Sequence, residues 1–339
     1  MRIALDAMGG DHGPDELISG ALLAIKQSRL QITLVGHQQV LQASLDRLGS
    51  GEAGLSRVQI VHASEVVEMG ESPVDAIRRK KDSSVSVAFD LVRQGQADAA
   101  VSAGNSGATM AAAVRKLGRM EHVSRPGIAS IFPTLKKPVV MMDVGANVDC
   151  RPQHLFQFAV MASAFSHIFD IDRPRIGILN IGEEVGKGNL LVKETYARLA
   201  ASSMNFVGNV EGRDVFQGDV DVIVCDGFVG NICLKISEGL AGAAMQMLKD
   251  EIMKSTVAKI GYFLARPAFR AFAKRVDYAE YGGAPLLGIN GVGIICHGKS
   301  SAEAIKNAIL EAAKMVEMQV NQKIIAGLAE SAQVGEAES

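Results

Sequence analysis

Cysteine is scarce in this chain and poorly placed for chemistry. The four residues, Cys150, Cys225, Cys233 and Cys296, lie far apart in no CxxC spacing, and three of them sit in apolar segments. That pattern suits small reduced core residues and supports neither a zinc site nor a disulfide framework. An excess of one charge is also missing: 35 basic residues against 37 acidic ones leave a net charge of −2. A surface-wide polyanion-binding face, and with it a nucleic-acid partner, is not indicated. The longest apolar helix-like run, "LFQFAVMASAFSHIF", is too short to cross a membrane and is broken by Ser163, Ser166 and His167. The opening residues, "MRIALDAMGGDHGP", read as a strand and a turn without the apolar core of a signal peptide, so the expected compartment is the cytoplasm. There is no internal repeat, no Pro-rich linker and no cluster of metal-binding carboxylates. The chain therefore reads as one unit over 1–329 with no metal and no cofactor, followed by a small acidic tail, "ESAQVGEAES", over 330–339 that is expected to fray.

Short Val- and Ile-rich runs alternate with helical patterns. "RIALDAM" leads to "DELISGALLAIKQS", "QITLVGH" leads to "QQVLQASLDRLG", and "VQIVHA", "ADAAVSA", "GIASIFPT", "PVVMMDVGAN", "RIGILNIG" and "VDVIVCDGF" follow. Strands apolar on both faces and separated by helices imply a three-layer α/β/α fold with a mostly parallel sheet. In such folds ligands gather at the carboxyl ends of strands. Those ends carry Asp6 with "GGDHG" (9–13), "SAGNSG" (102–107), "DVGAN" (143–147), "NIGEEVGKGN" (180–189) and "DGFVGN" (226–231). Each loop alone is explained by a tight turn. Together, expected at one edge of the sheet, they read as a site of main-chain amides and short polar side chains.

"VSAGNSGATM" (101–110) places small neutral residues where a strand gives way to a helix. A helix N-terminus with close backbone access suits an anion, most simply phosphate. Ser106 and Thr109 either add donors or merely cap their own helix. Familiar nucleotide motifs are not met. "GEEVGKGN" is one residue short of a Walker loop and has Gly188 at the magnesium position, and "GINGVG" (288–293) reverses the dinucleotide fingerprint. Gly104-Asn105-Ser106-Gly107-Ala108 is one residue from a nucleophile elbow, with Asp143 or Asp226 and then His297 following in hydrolase order. Ala108 replaces the second glycine of that motif. Lys187 in its Gly-rich loop and Asn231 at the end of "DGFVGN" are candidates to steady a developing oxyanion. His12 is a candidate donor to the anion. An ordinary surface lysine, a helix cap and a structural histidine are the plain alternatives.

"MRIALDAMGGDHGP", "VSAGNSGATM", "MMDVGANVD", "ILNIGEEVGKGN", "CDGFVGNI" and "YGGAPLLGINGVGIICHG" together resemble the bacterial phosphate acyltransferases, over roughly residues 1 to 325. The resemblance implies transfer of a long-chain acyl group from acyl carrier protein to inorganic phosphate. The acyl phosphate would then serve a partner glycerol-3-phosphate acyltransferase in phospholipid synthesis. It also implies a fold related to isocitrate and isopropylmalate dehydrogenases and to phosphate acetyltransferase, and a homodimer working at the membrane surface. Phosphate is already a nucleophile and the leaving thiol has a reference pKa of about 8.5, so proximity and charge stabilisation suffice for direct displacement. On this reading Gly9, Gly10, Asp11, His12, Gly104, Asn105, Ser106, Gly107 and Thr109 hold phosphate. Lys187 and Asn231 act at the thioester carbonyl, and Asn147, Asn189 and Asp226 complete the substrate site.

Between Met253 and Asp277 the composition turns basic, with Lys254, Lys259, Arg266, Arg270, Lys274 and Arg275 against one acid. Ile260, Phe263, Leu264, Phe269 and Phe272 supply an apolar counterpart, so this arm suits either the boundary of an anionic bilayer or a dimer contact. "IRRKK" (77–81) is a possible docking face for an acidic carrier protein or a solvated helix face. A phosphate-dependent acyltransferase, a serine hydrolase using Ser106 and a non-catalytic membrane scaffold remain distinct readings at this point.

Overall fold

The computed structural model describes residues 1–51, 54–276 and 282–337. Its strands are β1 (Arg2–Asp6), β2 (Gln31–Gly36), β3 (Val58–His62), β4 (Ala99–Ser102), β5 (Gly127–Phe132), β6 (Val139–Met142), β7 (Ile176–Leu179), β8 (Phe206–Val210), β9 (Val222–Val224), β10 (Ala284–Leu287) and β11 (Val292–Ile295). They form one 11-stranded sheet in the order β3-β2-β1-β4-β11-β10-β5-β6-β9-β7-β8. Period-two alternation sends side chains to both faces. Ile3 and Leu5 join one core cluster while Ala4 joins another, and Val140 and Met142 are divided in the same way from Val139 and Met141.

Both faces are covered by helices. One layer contains α1 (Pro14–Gln27), α2 (Gln38–Leu48), α6 (Pro152–Ser166), α7 (Leu190–Ala200), α11 (Ala302–Glu317) and α12 (Val320–Ala337), which contribute Ile18, Leu41, Phe158, Leu199, Ile305 and Ile324 to the largest cluster. The opposite layer contains α3 (Pro73–Arg79), α4 (Ser84–Arg93) and α5 (Ser106–Leu117), burying Ile77, Phe89 and Ala112. This is the expected α/β/α architecture with a mostly parallel sheet.

One expectation is corrected. The pairs β10–β11, β10–β5 and β5–β6 are antiparallel, whereas every other pair is parallel. Strands β1 to β5 and β11 therefore run one way, and β6 to β10 run the other. The turns after β1 and β4 leave one end of the sheet, and those after β6, β7 and β9 leave the opposite end, so the five loops do not share an edge. Residues 330–337 of the expected tail form the end of α12, which continues to Ala337; residues 338 and 339 lie outside the described residues. Ala, Glu and Gln, good helix formers, dominate that stretch.

A helical arm completes the molecule. It comprises α8 (Gly227–Lys254), α9 (Thr256–Leu264) and α10 (Arg266–Val276), so it begins well before Met253, and Asp277 is outside the described residues.

Candidate active site

The sheet divides where its direction changes. β10 pairs with β5 only through Leu286↔Ile128 and Leu287↔Gly127. Beyond that point Ala284 stays with Ile295 of β11, while Ser130 and Ile131 pair with Met141 and Val140 of β6. The ladder to β5 stops before Pro285, which has no amide hydrogen to give. A cavity of about 440 Å³ occupies this fork. One wall carries Ser106, His297, Lys299, Ser300 and Ser301; the other carries Ile128, Ile131, Val144, Gly145, Asn231, Leu234, Lys235 and Glu238.

Ser106 is exposed and begins α5, behind the cap Asn105, whose Oδ1 accepts from the Ala108 amide at 3.0 Å. The Asn105 Nδ2 donates to the carbonyls of Met69 and Glu71 at 2.9 and 3.2 Å. Thr109 is buried and turns its hydroxyl to the Asn105 carbonyl at 3.1 Å. Among the expected phosphate residues these two are thus occupied internally. Gly9 packs on Gly104 so closely that a Cβ at Gly9 would meet the Gly104 nitrogen at 2.7 Å. The Asp6 carboxylate ties this corner together by accepting from the Gly9 amide at 3.3 Å and the Ser102 hydroxyl at 2.7 Å; burial pushes its pKa up. Gly9, Gly104, Asn105 and Thr109 line a cleft of about 10 Å³, room for about one water and not for phosphate. Asp11 donates its amide to the Gly298 carbonyl at 2.7 Å, which fastens the 9–13 turn, with Gly10 and the exposed His12, to the loop carrying His297. Gly107 follows Ser106 at the helix start, against Pro73.

The second wall is built on Asp143. Its carboxylate accepts from the amides of Ile128, Gly145, Ala146 and Asn147 and from the Asn147 side chain, at 2.7–3.3 Å. Burial pushes the Asp143 pKa up, while these bonds pull it down. Asn147 also donates to the Pro126 carbonyl at 2.8 Å, and Asp226 caps α8 by accepting from Phe228 and Val229 amides at 3.0 Å. Both side chains shape the wall without lining the cavity. A Cβ on Gly230 would lie 1.9 Å from the Asp143 carbonyl oxygen, so α8 rests directly on this turn and delivers Asn231 beside Gly145.

Lys187 and Asn189 lie elsewhere. Both are exposed in the loop after β7; Asn189 caps α7 through the Val192 amide at 2.9 Å, and neither lines the cavity. The residues that sequence reading did not assign to this chemistry are Lys299, Lys235 and Glu238, with His297 considered only as part of a triad. Their signals were present: "CHGKS" ends a Val/Ile run, and Asn231, Leu234, Lys235 and Glu238 follow i, i+3, i+4, i+7 spacing on one helix face. Lys235 pairs with Glu238 at 2.9 Å, which leaves Lys299 and the helix end as the positive features of the cavity.

The geometry is not that of a catalytic triad. His297 accepts the Lys299 amide hydrogen on Nδ1 at 3.1 Å, so the neutral ring carries its proton on Nε2. A triad base needs the reverse tautomer, with Nδ1–H held by a carboxylate. Asp143 and Asp226 are committed to the bonds described above.

Residues 1–323 match the family model described as fatty acid synthesis protein. The phosphate acyltransferase of Pelotomaculum thermopropionicum is 55% identical over 325 residues, covering 96% of this chain and 94% of that protein. The phosphate acyltransferase of Geobacter sulfurreducens is 54% identical, covering 96% and 93%. Among solved structures, a phosphotransacetylase from Streptococcus pyogenes superposes with a TM-score of 0.65 at 19% identity, covering 94% of each chain, which shows a shared fold. The full-length match at this identity, on a scaffold that collects Ser106 and Asn231 in one cavity, establishes that the chain belongs to the phosphate acyltransferase family.

Proposed function

We propose that the protein moves a long-chain acyl group from the thioester of acyl carrier protein to inorganic phosphate. The observation that carries this reading is the fork cavity: a helix N-terminus, hydroxyls, Lys299 and Asn231 converge there without an activated nucleophile. Phosphate is held by the first amides of α5 at Ser106 and Gly107, with Lys299 across from them; the small neutral residues of 103–107 allow its oxygens to approach the main chain. A phosphate oxygen attacks the thioester carbon, the oxyanion is met by Asn231, and the C–S bond breaks to release the carrier thiolate, which takes a proton from water. The products are acyl phosphate and free carrier thiol. Such a mixed anhydride suits a partner acyltransferase that acylates glycerol 3-phosphate in phospholipid synthesis. Lys187, expected beside the carbonyl, lies outside the cavity, and Lys299 takes its place in this scheme. Arg78 and Arg79, exposed at the end of α3, whose Pro73 touches Gly107, offer the acidic carrier protein a docking face next to the cavity. The homodimer and peripheral attachment to the inner face of the cell membrane belong to the same reading.

The test is incubation of the protein with hexadecanoyl-carrier protein, with and without phosphate. Acyl phosphate and free thiol should appear in equal amounts, and only with phosphate. Thiol release without phosphate would mark a hydrolase, and no release in either case a scaffold. Asn231→Ala should lower kcat about 100-fold, the usual loss for one oxyanion donor.

A further inference from the structure

Phosphate and the thioester carbonyl engage Ser106, Lys299 and Asn231 and leave the apolar residues of the fork without a role. Val144 is 4% exposed, and Ile128 and Leu234 are half-buried and pack in the same apolar cluster. The three come from β5, the turn after β6 and α8, and all line the cavity that Ser106 and Asn231 line. We propose that this apolar patch is the seat of the acyl chain, with Leu234 setting how much hydrocarbon the fork admits. The inference rests on the function proposed above and adds the place and selectivity of its lipid portion.

Chemistry and rigidity support the assignment. An acyl thioester meeting phosphate is polar at one end and apolar along the rest, and the fork offers hydroxyls and Lys299 together with an apolar patch of Ile128, Val144 and Leu234. A volume of about 440 Å³ falls in the range of about 300–1,000 Å³ typical of ligand sites. Val144 is fixed in a core cluster against which Ile128 and Leu234 pack, so the surface is formed before the chain arrives. Asn231 precedes Leu234 by three residues on the same helix face, which places the proposed carbonyl donor next to the start of the chain. Leu234 is on a helix, not in the sheet, so changing its size alters the cavity with the least effect on the strands.

Two substitutions of opposite sense test the proposal. Leu234→Phe should lower kcat/KM for hexadecanoyl-pantetheine about tenfold, the lower range for one misfitted group in an apolar pocket. The loss with butanoyl-pantetheine should be smaller, and an unchanged thermal unfolding midpoint should report an intact fold. Leu234→Ala should shift the optimum toward longer chains. Binding of cis-parinaric acid, a fluorescent fatty acid, is read in parallel without turnover and should weaken in Leu234→Phe. Equal loss with both thioesters, or an unaltered chain-length profile and unaltered parinarate binding in both variants, would overturn the acyl seat. Absence of acyl phosphate from the unmodified protein would instead overturn the proposed function, while parinarate binding would still decide whether the patch takes a hydrocarbon chain.

Discussion

On the inner face of α11, Glu311 is 8% exposed, and neither of its carboxylate oxygens has a hydrogen-bond partner. Burial pushes its pKa well above the ordinary glutamate value of 4.5, and the nearby Gly283 amide offsets little of that. The folded state thus holds a proton that the unfolded chain releases, so stability falls as pH rises above about 4.5. Glu311→Gln keeps the shape and removes the charge. The substitution should raise stability at pH 8 and leave it unchanged at pH 4, read from urea midpoints at the two pH values. An unchanged difference between the two midpoints would show that Glu311 is not the group responsible. Other single residues were legible in the sequence only as alternatives. Asn105, Asp226 and Asn189 prove to be helix caps, an alternative weighed for Ser106, Thr109 and Asn231 instead, because the first amides of a helix need an acceptor whatever else the loop does. Glu311 left no signal, since a glutamate within a helical pattern looks solvated until tertiary packing covers it.

The helix that opens with Ser106 depends on its cap. Asn105 satisfies one amide of α5 and holds two carbonyls of the 69–71 segment, so one side chain joins the helix start to the chain leading into α3. Asn105→Ala should cost about 2 kcal/mol, about one for the cap and about one for the lost donor bonds. Asn105→Asp keeps the acceptor and loses the donors, and should fall between, as read by denaturant unfolding. Equal stability of all three proteins would refute this account. Among elements, the long helices and the Val/Ile strands were legible, whereas β8, β10 and β11 were not singled out. β10 and β11 are four residues each, separated by "GING" and preceded by Gly283, so local pattern reads turns there; the neighbours β4 and β5 turn those residues into strands.

For the whole molecule, the α/β/α class was legible because buried parallel strands carry near-continuous apolar runs. The direction of each strand was not, because an apolar run is equally apolar read either way. Hence the expected single edge became two ends and a fork. The arm poses the remaining question of how the molecule meets its surroundings. Ile260, Phe263, Leu264 and Phe272 are 51–75% exposed, while Phe269 is half-buried against Tyr262 with ring centroids 5.0 Å apart. Among its basic residues, Arg275 is tied to the Leu135 carbonyl at 2.7 Å and Lys254 pairs with Glu251 at 2.5 Å, whereas Lys259, Arg266 and Arg270 are exposed. Among the described residues no helix is long and apolar enough to cross a membrane. An apolar tip with cations beside it gains from acyl-chain burial and from anionic headgroups, each basic residue adding about 1 kcal/mol. Phe263→Glu with Phe272→Glu should abolish sedimentation with vesicles containing anionic lipid. Raised salt should weaken binding of the unmodified protein, because the Debye length shrinks from about 10 Å at 0.1 M to about 3 Å at 1 M. Phe269→Glu should instead loosen the packing of α9 on α10 and lower the melting temperature. If the double variant still sediments with vesicles but changes its oligomeric state in solution, the exposed face belongs to a contact between two copies of the chain, and the membrane reading falls.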